Sequence, residues 1–367
     1  MVFGARALEE LGLSLDWHDA YRDRRVLVTG HTGFKGGWLC LWLQYLGAHV
    51  TGYALPPATE PSLYLACRLE DRLCSVIGDV RDDNVLCRAF ARARPEIIFH
   101  LAAQARVDAS YVDPRGTFDT NVGGTAAVLD AVLANEGVRA VLVVTSDKCY
   151  ENQGHEDGYR ETDPMGGHDP YSASKACQEL VASSYARSFF RLKGIGLATA
   201  RAGNVIGGGD FTPGRLLPDC LRAFGEGRAV RLRYPEAVRP WQHVLEPLSG
   251  YLRLGAKLLE APVAWSEPFN FGPKSNDTLA VREVVNQCAA AWGAPQTWER
   301  EPGEHAHEAG ILRLDASKAR DRLGWRPTWG LEEALARTVS WHKDMLAGRD
   351  MAQVTLEQIG AHGGGRD

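Results

Sequence analysis

Residues 26–39 read VLVTGHTGFKGGWL, and their reading decides the fold. A short apolar, β-branched run enters Gly30, Gly33 and Gly36, and the apolar stretch Gly36 to Leu46 follows. At such a strand–turn–helix junction the first glycine permits the tight turn. The second lets backbone approach a pyrophosphate, and the third lets the helix pack on its strand. The first N–H groups of the helix then face phosphate oxygens. The rival phosphate cradle needs Gly-Lys followed by Ser or Thr, whereas Lys35 is followed by Gly36.

Outward from this loop, short β-branched runs alternate with longer amphipathic ones. Strands are expected over Arg25 to Thr29, His49 to Ala54, Cys74 to Ile77, Ile97 to Leu101, Ala140 to Thr145 and Gly196 to Arg201. Helices are expected over Gly36 to Leu46, Asn84 to Arg94, Asn121 to Asn135 and Tyr171 to Phe190. Regular alternation implies parallel strands with right-handed crossovers. Solidly apolar strands imply a sheet covered on both faces. The fold class is therefore α/β, a doubly wound parallel sheet of Rossmann type. After about residue 205 the rhythm breaks, with Gly207, Gly208, Gly209, Pro213, Gly214 and Pro218 in quick succession. We read a dinucleotide-binding domain over 20–205, rejoined at about 240–262. A smaller mixed α/β domain is expected over 206–350, with a tail over 351–367 whose Gly-rich end is mobile.

Composition narrows the function classes. The chain has 367 residues, 45% hydrophobic and 24% charged, with a formal net charge of -5. An acidic balance argues against a nucleic-acid footprint. No apolar run reaches the length of a membrane span, and the N-terminus has acids early and no signal-peptide pattern. The eight Cys fall mostly in apolar runs with no C-x-x-C spacing, which suits reduced thiols in a cytoplasm. His305, His307 and Glu308 lack the spacing of a helical zinc motif, so no metal is expected.

The second strand ends Gly52-Tyr53-Ala54-Leu55-Pro56. The acid that grips an adenosine ribose is missing there, so these residues alone do not separate NAD from NADP, and His31 and Lys35 could tolerate a 2′-phosphate. Asp79 is placed to meet the adenine amine. Leu101, Ala102 and Ala103 supply small residues where the back of a cofactor would pass. About 140 residues after the glycine loop stands Tyr171-Ser172-Ala173-Ser174-Lys175. Positions four apart share one helix face. A cation near the phenol favours phenolate, which makes Tyr171 a usable base, and Lys175 can also hold the nicotinamide ribose. The fifth strand runs into Thr145-Ser146-Asp147-Lys148-Cys149-Tyr150. Ligands of open α/β sheets meet such carboxyl ends.

The glycine loop followed by this Tyr and Lys resembles the extended short-chain dehydrogenase/reductase superfamily. Within it the chain is similar along nearly its whole length to the CDP-D-glucose 4,6-dehydratases. The similarity is carried by VTGHTGFKGGWL, TSDKCYEN (Thr145 to Asn152), DPYSASK (Asp169 to Lys175) and ARAGNVIGGGDF (Ala200 to Phe211). Further on it is carried by RPWQHVLEPLSGYL (Arg239 to Leu252), FNFGP (Phe269 to Pro273) and LDASKARDRLGWRP (Leu314 to Pro327). The resemblance implies NAD as cofactor, lined by Gly30, Gly33, Phe34, Lys35, Gly36, Asp79, Val80, Leu101, Ala102, Ala103, Tyr171 and Lys175. It implies catalytic roles for Ser146, Asp147, Lys148, Tyr171 and Lys175. Tyr171 would take the proton of the sugar 4-hydroxyl, Ser146 would bond the 4-keto oxygen, Lys148 would act at C5 and Asp147 would protonate the leaving 6-hydroxyl. Asn204, Arg239 and Asn270 are implied on the substrate side.

The same resemblance implies CDP-glucose as substrate and a homodimer or homotetramer joined through Asn121–Asn135 and Tyr171–Phe190. The chain departs from the family at Ala105-Arg106-Val107-Asp108-Ala109-Ser110-Tyr111, where an Asp stands in place of a cation. An epimerase or decarboxylase of the same superfamily remains an alternative, and a non-catalytic NAD sensor a remote one.

Overall fold

The computed structural model describes residues 17–155, 157–274, 277–295, 298–303 and 312–364. His305, His307 and Glu308 lie outside them.

Six parallel strands follow the expected segments closely: β1 (Arg25–Thr29), β2 (His49–Ala54), β3 (Cys74–Ile77), β4 (Ile97–His100), β5 (Ala140–Val144) and β6 (Gly196–Ala202). The helices between them are α1 (Phe34–Tyr45), α2 (Asp83–Ala93), α3 (Gly124–Ala134) and α4 (Pro170–Tyr185). α3 begins three residues late because Asp119–Gly123 form a wide turn, and α4 ends early at a similar turn, Ala186–Phe190.

The sheet runs β3-β2-β1-β4-β5-β6 and is extended by a seventh parallel strand, β10 (Pro268–Phe271), on the β6 edge. This is the doubly wound order, with its switch point between β1 and β4. The return to the large domain, expected at about 240–262, falls on a helix that packs against the sheet and not on a further strand of it. β9 (Val238–His243) joins β7 (Asn204–Ile206) and β11 (Thr278–Ala280) in a separate small sheet. α5 (Leu216–Gly225) lies between these elements in the chain, and α6 (Leu245–Glu260) packs on β5 and β6. The strand that completes the sheet comes later, where Pro-Phe-Asn-Phe is too short to show a period.

Side-chain alternation divides the core. Val26, Val28, Ile97, Phe99 and Leu142 face α1 and α6, whereas Leu27, Ile98, Val141 and Val143 face α2, α3 and α4. A third cluster joins α5, α7 (Val281–Trp292) and α8 (Leu331–Leu346) around Leu221, Val285 and Leu335. Residues 351–359, expected as tail, form helix α9, with Met351, Val354 and Ile359 buried. His362 beyond it donates from Nε2 to the buried Glu246 carboxylate at 2.8 Å. The cause is burial. Apolar residues at helical spacing cover α1 and outweigh the Gly content that follows.

Candidate active site

The glycine loop closes β1 onto α1. Gly30 has φ +79°, and a Cβ there would sit 2.8 Å from Ala102 N, so turn and close approach both exclude a side chain. A Cβ on Gly36 would sit 2.1 Å from Gly30 O. Gly33 caps α1 without any side-chain hydrogen bond, and the first turn holds no acid. The opening N–H groups of α1 are therefore offered to an anion. That bare cradle fits a pyrophosphate.

Around it, Thr29 Oγ1 accepts from Leu101 N and Ala102 N, both at 3.1 Å, which fixes the end of β4. Ala103 continues that strand end, half-buried. Phe34 reaches across toward Gly207. Val80 is buried against Gly124. Asp79 holds Arg81 through both carboxylate oxygens, and this hydrogen bonding keeps its carboxyl below the usual range. It thus stands ionised at the tip of β3 with its oxygens partly spent.

Two residues of the loop sit differently from expectation. His31 is fully buried, bonds Ser75 Oγ at 2.8 Å and packs edge-on to Tyr64. Burial pushes its pKa down to about 4, so the ring is neutral and supplies no charge for a 2′-phosphate. Lys35 points toward the strand ends beyond β5. Burial and then Arg215 lower its pKa to about 8, while Asp147 opposes them. Its charge belongs to the reacting end of the cleft, because the second residue of α1 faces the sheet's carboxyl edge.

At that edge Ser146 starts the turn Asp147–Cys149, accepting from Lys148 N at 3.2 Å and donating to Asp147 Oδ1 at 2.9 Å. Asp147 is 2% exposed. Its Oδ2 is buried with no partner among the described residues and points at Gly203, whose missing Cβ would lie 3.0 Å away. Burial raises the carboxyl pKa, against Lys148, the Ser146 hydrogen bond, Arg239 and Lys35. A buried carboxyl with a raised pKa and one free oxygen is equipped as a general acid. Lys148 stands beside it, half-buried.

Asp169 caps α4 by accepting from Ser172 N at 2.9 Å, and Pro170 sets its first turn. Tyr171 and Lys175 follow on one face, with Lys175 Nζ 5.9 Å from the Tyr171 ring centre. Burial pushes the phenol up to about 12, opposed by the Ser146 hydrogen bond. The lowering expected from Lys175 is not what sets the phenol, whose burial is the first cause and whose charged neighbours are Asp147, Arg215 and Asp169. The ammonium is itself pulled down to about 7 by burial and then by Lys35, with Glu179 and Cys149 opposing.

Of the three substrate-side expectations, Asn204 lies half-buried at the start of β7, opposite Trp241. Arg239 is buried on β9 and near enough to act on Asp147. Asn270 turns inward. It is 0% exposed, accepts from Tyr150 OH, and donates to Tyr159 O and Asp315 O. These bonds tie β10 to the loop after β5, so its amide is spent inside the fold. Asp108, the departure from the family, is neutralised by Arg106 two residues away. The pair stands against Gly214 across the cleft.

The sequence reading missed Glu179, Arg201 and Gln178. Glu179 accepts from Thr145, Thr199 and Arg201, forming an ion pair that is almost wholly buried. The signal was present for Glu179, since Tyr171, Lys175 and Glu179 are spaced four apart on α4. Arg201 had none, because its partner is remote in sequence. No cluster of metal-ligating side chains occurs among the described residues, and none of their helices is long and apolar enough to cross a membrane.

Comparison with known proteins adds four findings. Residues 26–264 match the model of the NAD dependent epimerase/dehydratase family. A CDP-glucose 4,6-dehydratase of Salmonella typhimurium is 50% identical over 344 residues, covering 92% of this chain and 96% of that one. A dTDP-glucose 4,6-dehydratase of Streptomyces antibioticus is 30% identical, covering 87% and 92%. Among solved structures, a double mutant of the dTDP-glucose 4,6-dehydratase DesIV from Streptomyces venezuelae, with NAD bound, superposes with a TM-score of 0.76. It is 26% identical and covers 89% of this chain and 99% of its own.

Proposed function

The chain belongs to the NAD dependent epimerase/dehydratase family, and from that premise we propose that it is a CDP-glucose 4,6-dehydratase. It converts CDP-D-glucose to CDP-4-keto-6-deoxy-D-glucose and water, with no net oxidation, for deoxysugar assembly. The observation that carries this reading is Asp147. It is a buried carboxyl whose pKa burial raises, with one oxygen unpartnered among the described residues, beside Lys148 and within reach of the Tyr171 site. Abstraction at a hydroxyl alone would not require it.

Bound NAD would supply a reversible acceptor for the hydride that leaves sugar C4 and ends at C6. Gly30, Gly33 and Gly36 would cradle its phosphates. Phe34, Lys35, Val80, Leu101, Ala102 and Ala103 would line it, Asp79 would meet the adenine, and Lys175 the ribose. Tyr171 removes the 4-hydroxyl proton and Ser146 donates to the oxygen as it becomes a ketone. The ketone acidifies C5–H, and Lys148 takes that proton and, after exchange with solvent, gives one back to C5 as C6 is reduced. Asp147 delivers its proton from Oδ2 to the departing 6-hydroxyl. Asn204 and Arg239 hold the diphosphate, the guanidinium fork matching its oxygens.

We assign the dinucleotide to the lobe built on the large sheet and the sugar nucleotide to the lobe after it. The unpartnered apolar side chains Leu180, Tyr111 and Val112 lie exposed on α4 and on the short helix Val107–Val112. They support a homodimer through this face. The cysteines carry free thiols, which supports a reducing cytoplasm.

The test is incubation of the purified protein with CDP-glucose and NAD in deuterated water. The expected product has lost its 6-hydroxyl and carries deuterium at C5. A CDP-sugar inverted at C4 and free of deuterium would identify an epimerase instead. Parallel incubations with dTDP- and UDP-glucose report the base preference.

A further inference from the structure

The Lys175 ammonium donates to Gln178 Oε1 at 2.7 Å and, more weakly, to Val144 O at 3.4 Å. Gln178 is fully buried and is part of no step described above. Its orientation follows from counting protons along the bonds that hold it. Thr29 Oγ1 already accepts from Leu101 N and Ala102 N, so its own hydrogen goes to His100 Nδ1, at 2.7 Å. His100 is then protonated at Nε2 and donates to Thr125 Oγ1 at 3.0 Å. Thr125 spends its hydrogen on Asn121 O at 2.6 Å, so toward Gln178 it only accepts, from Nε2 at 2.7 Å. The amide is therefore aimed with its oxygen at Lys175. The reverse orientation would set an NH2 group against the ammonium and leave Thr125 facing an oxygen with no hydrogen to give.

We propose that Gln178 is a positioning residue of this site: the Thr29–His100–Thr125 chain aims its amide oxygen at Lys175 and keeps the ammonium charged within reach of Tyr171. The inference rests on the roles given to Tyr171 and Lys175 above and deepens them. The chain starts at the backbone of Leu101 and Ala102, where the cofactor lies, so the cofactor floor and the lysine are held by one set of bonds. The remaining groups facing Lys175 do not replace the amide. Lys35 on α1 repels it, and His100 is neutral, its pKa pushed by burial to about 3. Cys149 in the turn after β5 is buried and protonated. Glu179 on α4 favours the ammonium through its charge but makes no bond to it, its oxygens being taken by Thr145, Thr199 and Arg201. The groups facing Tyr171 are Ser146, Asp147, Arg215 and Asp169.

The experiment follows the isotope-labelled Lys Cε resonance of Lys175 against pH, assigned by its loss in Lys175→Met. Gln178→Met removes the oxygen at similar volume. It should lower the midpoint by roughly one pH unit, about tenfold in the ionisation constant. Gln178→Glu, which keeps an oxygen and adds charge, should raise the midpoint. Thr125→Val should lower it less than Gln178→Met, and Thr125→Ser should leave it in place. The kcat of Gln178→Met should fall about tenfold at neutral pH with KM nearly unchanged. Wild-type midpoints in Gln178→Met and Gln178→Glu would overturn the proposal. If Gln178→Met does not fold, the rise in Gln178→Glu and the fall in Thr125→Val decide, and an unmoved midpoint in both refutes it. Shifted midpoints alongside a fully active Tyr171→Phe would refute the proposed roles and leave the contact standing.

Discussion

Replacing Asp147 by Asn should separate the two halves of the reaction and stabilise the protein at neutral pH. The amide oxygen inherits the place of Oδ1 and keeps the Ser146 hydrogen bond of 2.9 Å. The new NH2 replaces Oδ2 in the space before Gly203. Geometry is kept and the transferable proton is lost. A general acid contributes about a hundredfold to ten-thousandfold, which is roughly 3–5 kcal/mol of barrier. Overall turnover should drop by that factor. Oxidation at C4 depends on Tyr171 and should persist, so mixing the variant with NAD and CDP-glucose should give a burst of reduced nicotinamide absorbance that decays slowly. Stability moves the other way. Burial holds the folded carboxyl above its ordinary value. Asp147 therefore favours the fold below the unfolded pKa, and that contribution is lost as pH rises through the folded pKa. At neutral pH ionising Asp147 costs stability, and Asn removes the cost. Thermal melts should show D147N as the more stable protein at neutral pH, with the advantage shrinking in acid. Turnover near the wild-type rate, or loss of the burst together with turnover, would refute the assignment of Asp147 to water elimination.

Gly36→Ala sets a Cβ 2.1 Å from Gly30 O. Backbone meets backbone, so the loop must open, and calorimetry should show NAD affinity lower by roughly a hundredfold or more. Glu179→Gln strips the counter-charge from a fully buried Arg201. Denaturant unfolding should show a loss of about 3–5 kcal/mol, and a loss under about 1 kcal/mol would mean that water reaches the pair. Asn270→Ala removes three buried hydrogen bonds. It should lower the melting temperature while leaving the KM for CDP-glucose within about twofold, and a large KM rise with unchanged stability would return Asn270 to the substrate pocket.

What was legible in the sequence was what is local. The glycine loop combines a turn, a close approach and a helix start within seven residues, and each demands glycine for its own reason. Tyr171 and Lys175 were legible because helix period alone brings them to one face. The direction of Lys35 was not. It depends on how α1 is rotated against the sheet, which is fixed by Trp38, Leu39 and Trp42 packing into a core drawn from α6 and α8. The inward bonds of Asn270 were hidden for a related reason. A motif match names a residue but not the side it faces, and here Phe269 and Phe271 on either side are buried as well.

The sequence reading had Lys175 acting on Tyr171 directly, as a cation that lowers the pKa of a phenol. Burial changes the problem. Burial disfavours the charged form of both groups: the phenol is pushed up to about 12 and the ammonium down to about 7. A Tyr and a Lys one turn apart thus do not make a base by themselves. Something must return stabilisation to the ammonium without adding an anion that would cancel its effect on the phenol. A neutral amide oxygen meets both conditions, and only if it cannot rotate. The bonds that stop it rotating run through His100 and Thr125 to Thr29, residues on β4, α3 and β1 whose sequence spacing carries no sign of the contact. The chemistry at α4 therefore depends on the strand order. β1 and β4 must be neighbours at the switch point for Thr29 to reach His100, and the crossover that makes them neighbours also places the glycine loop beside the lysine.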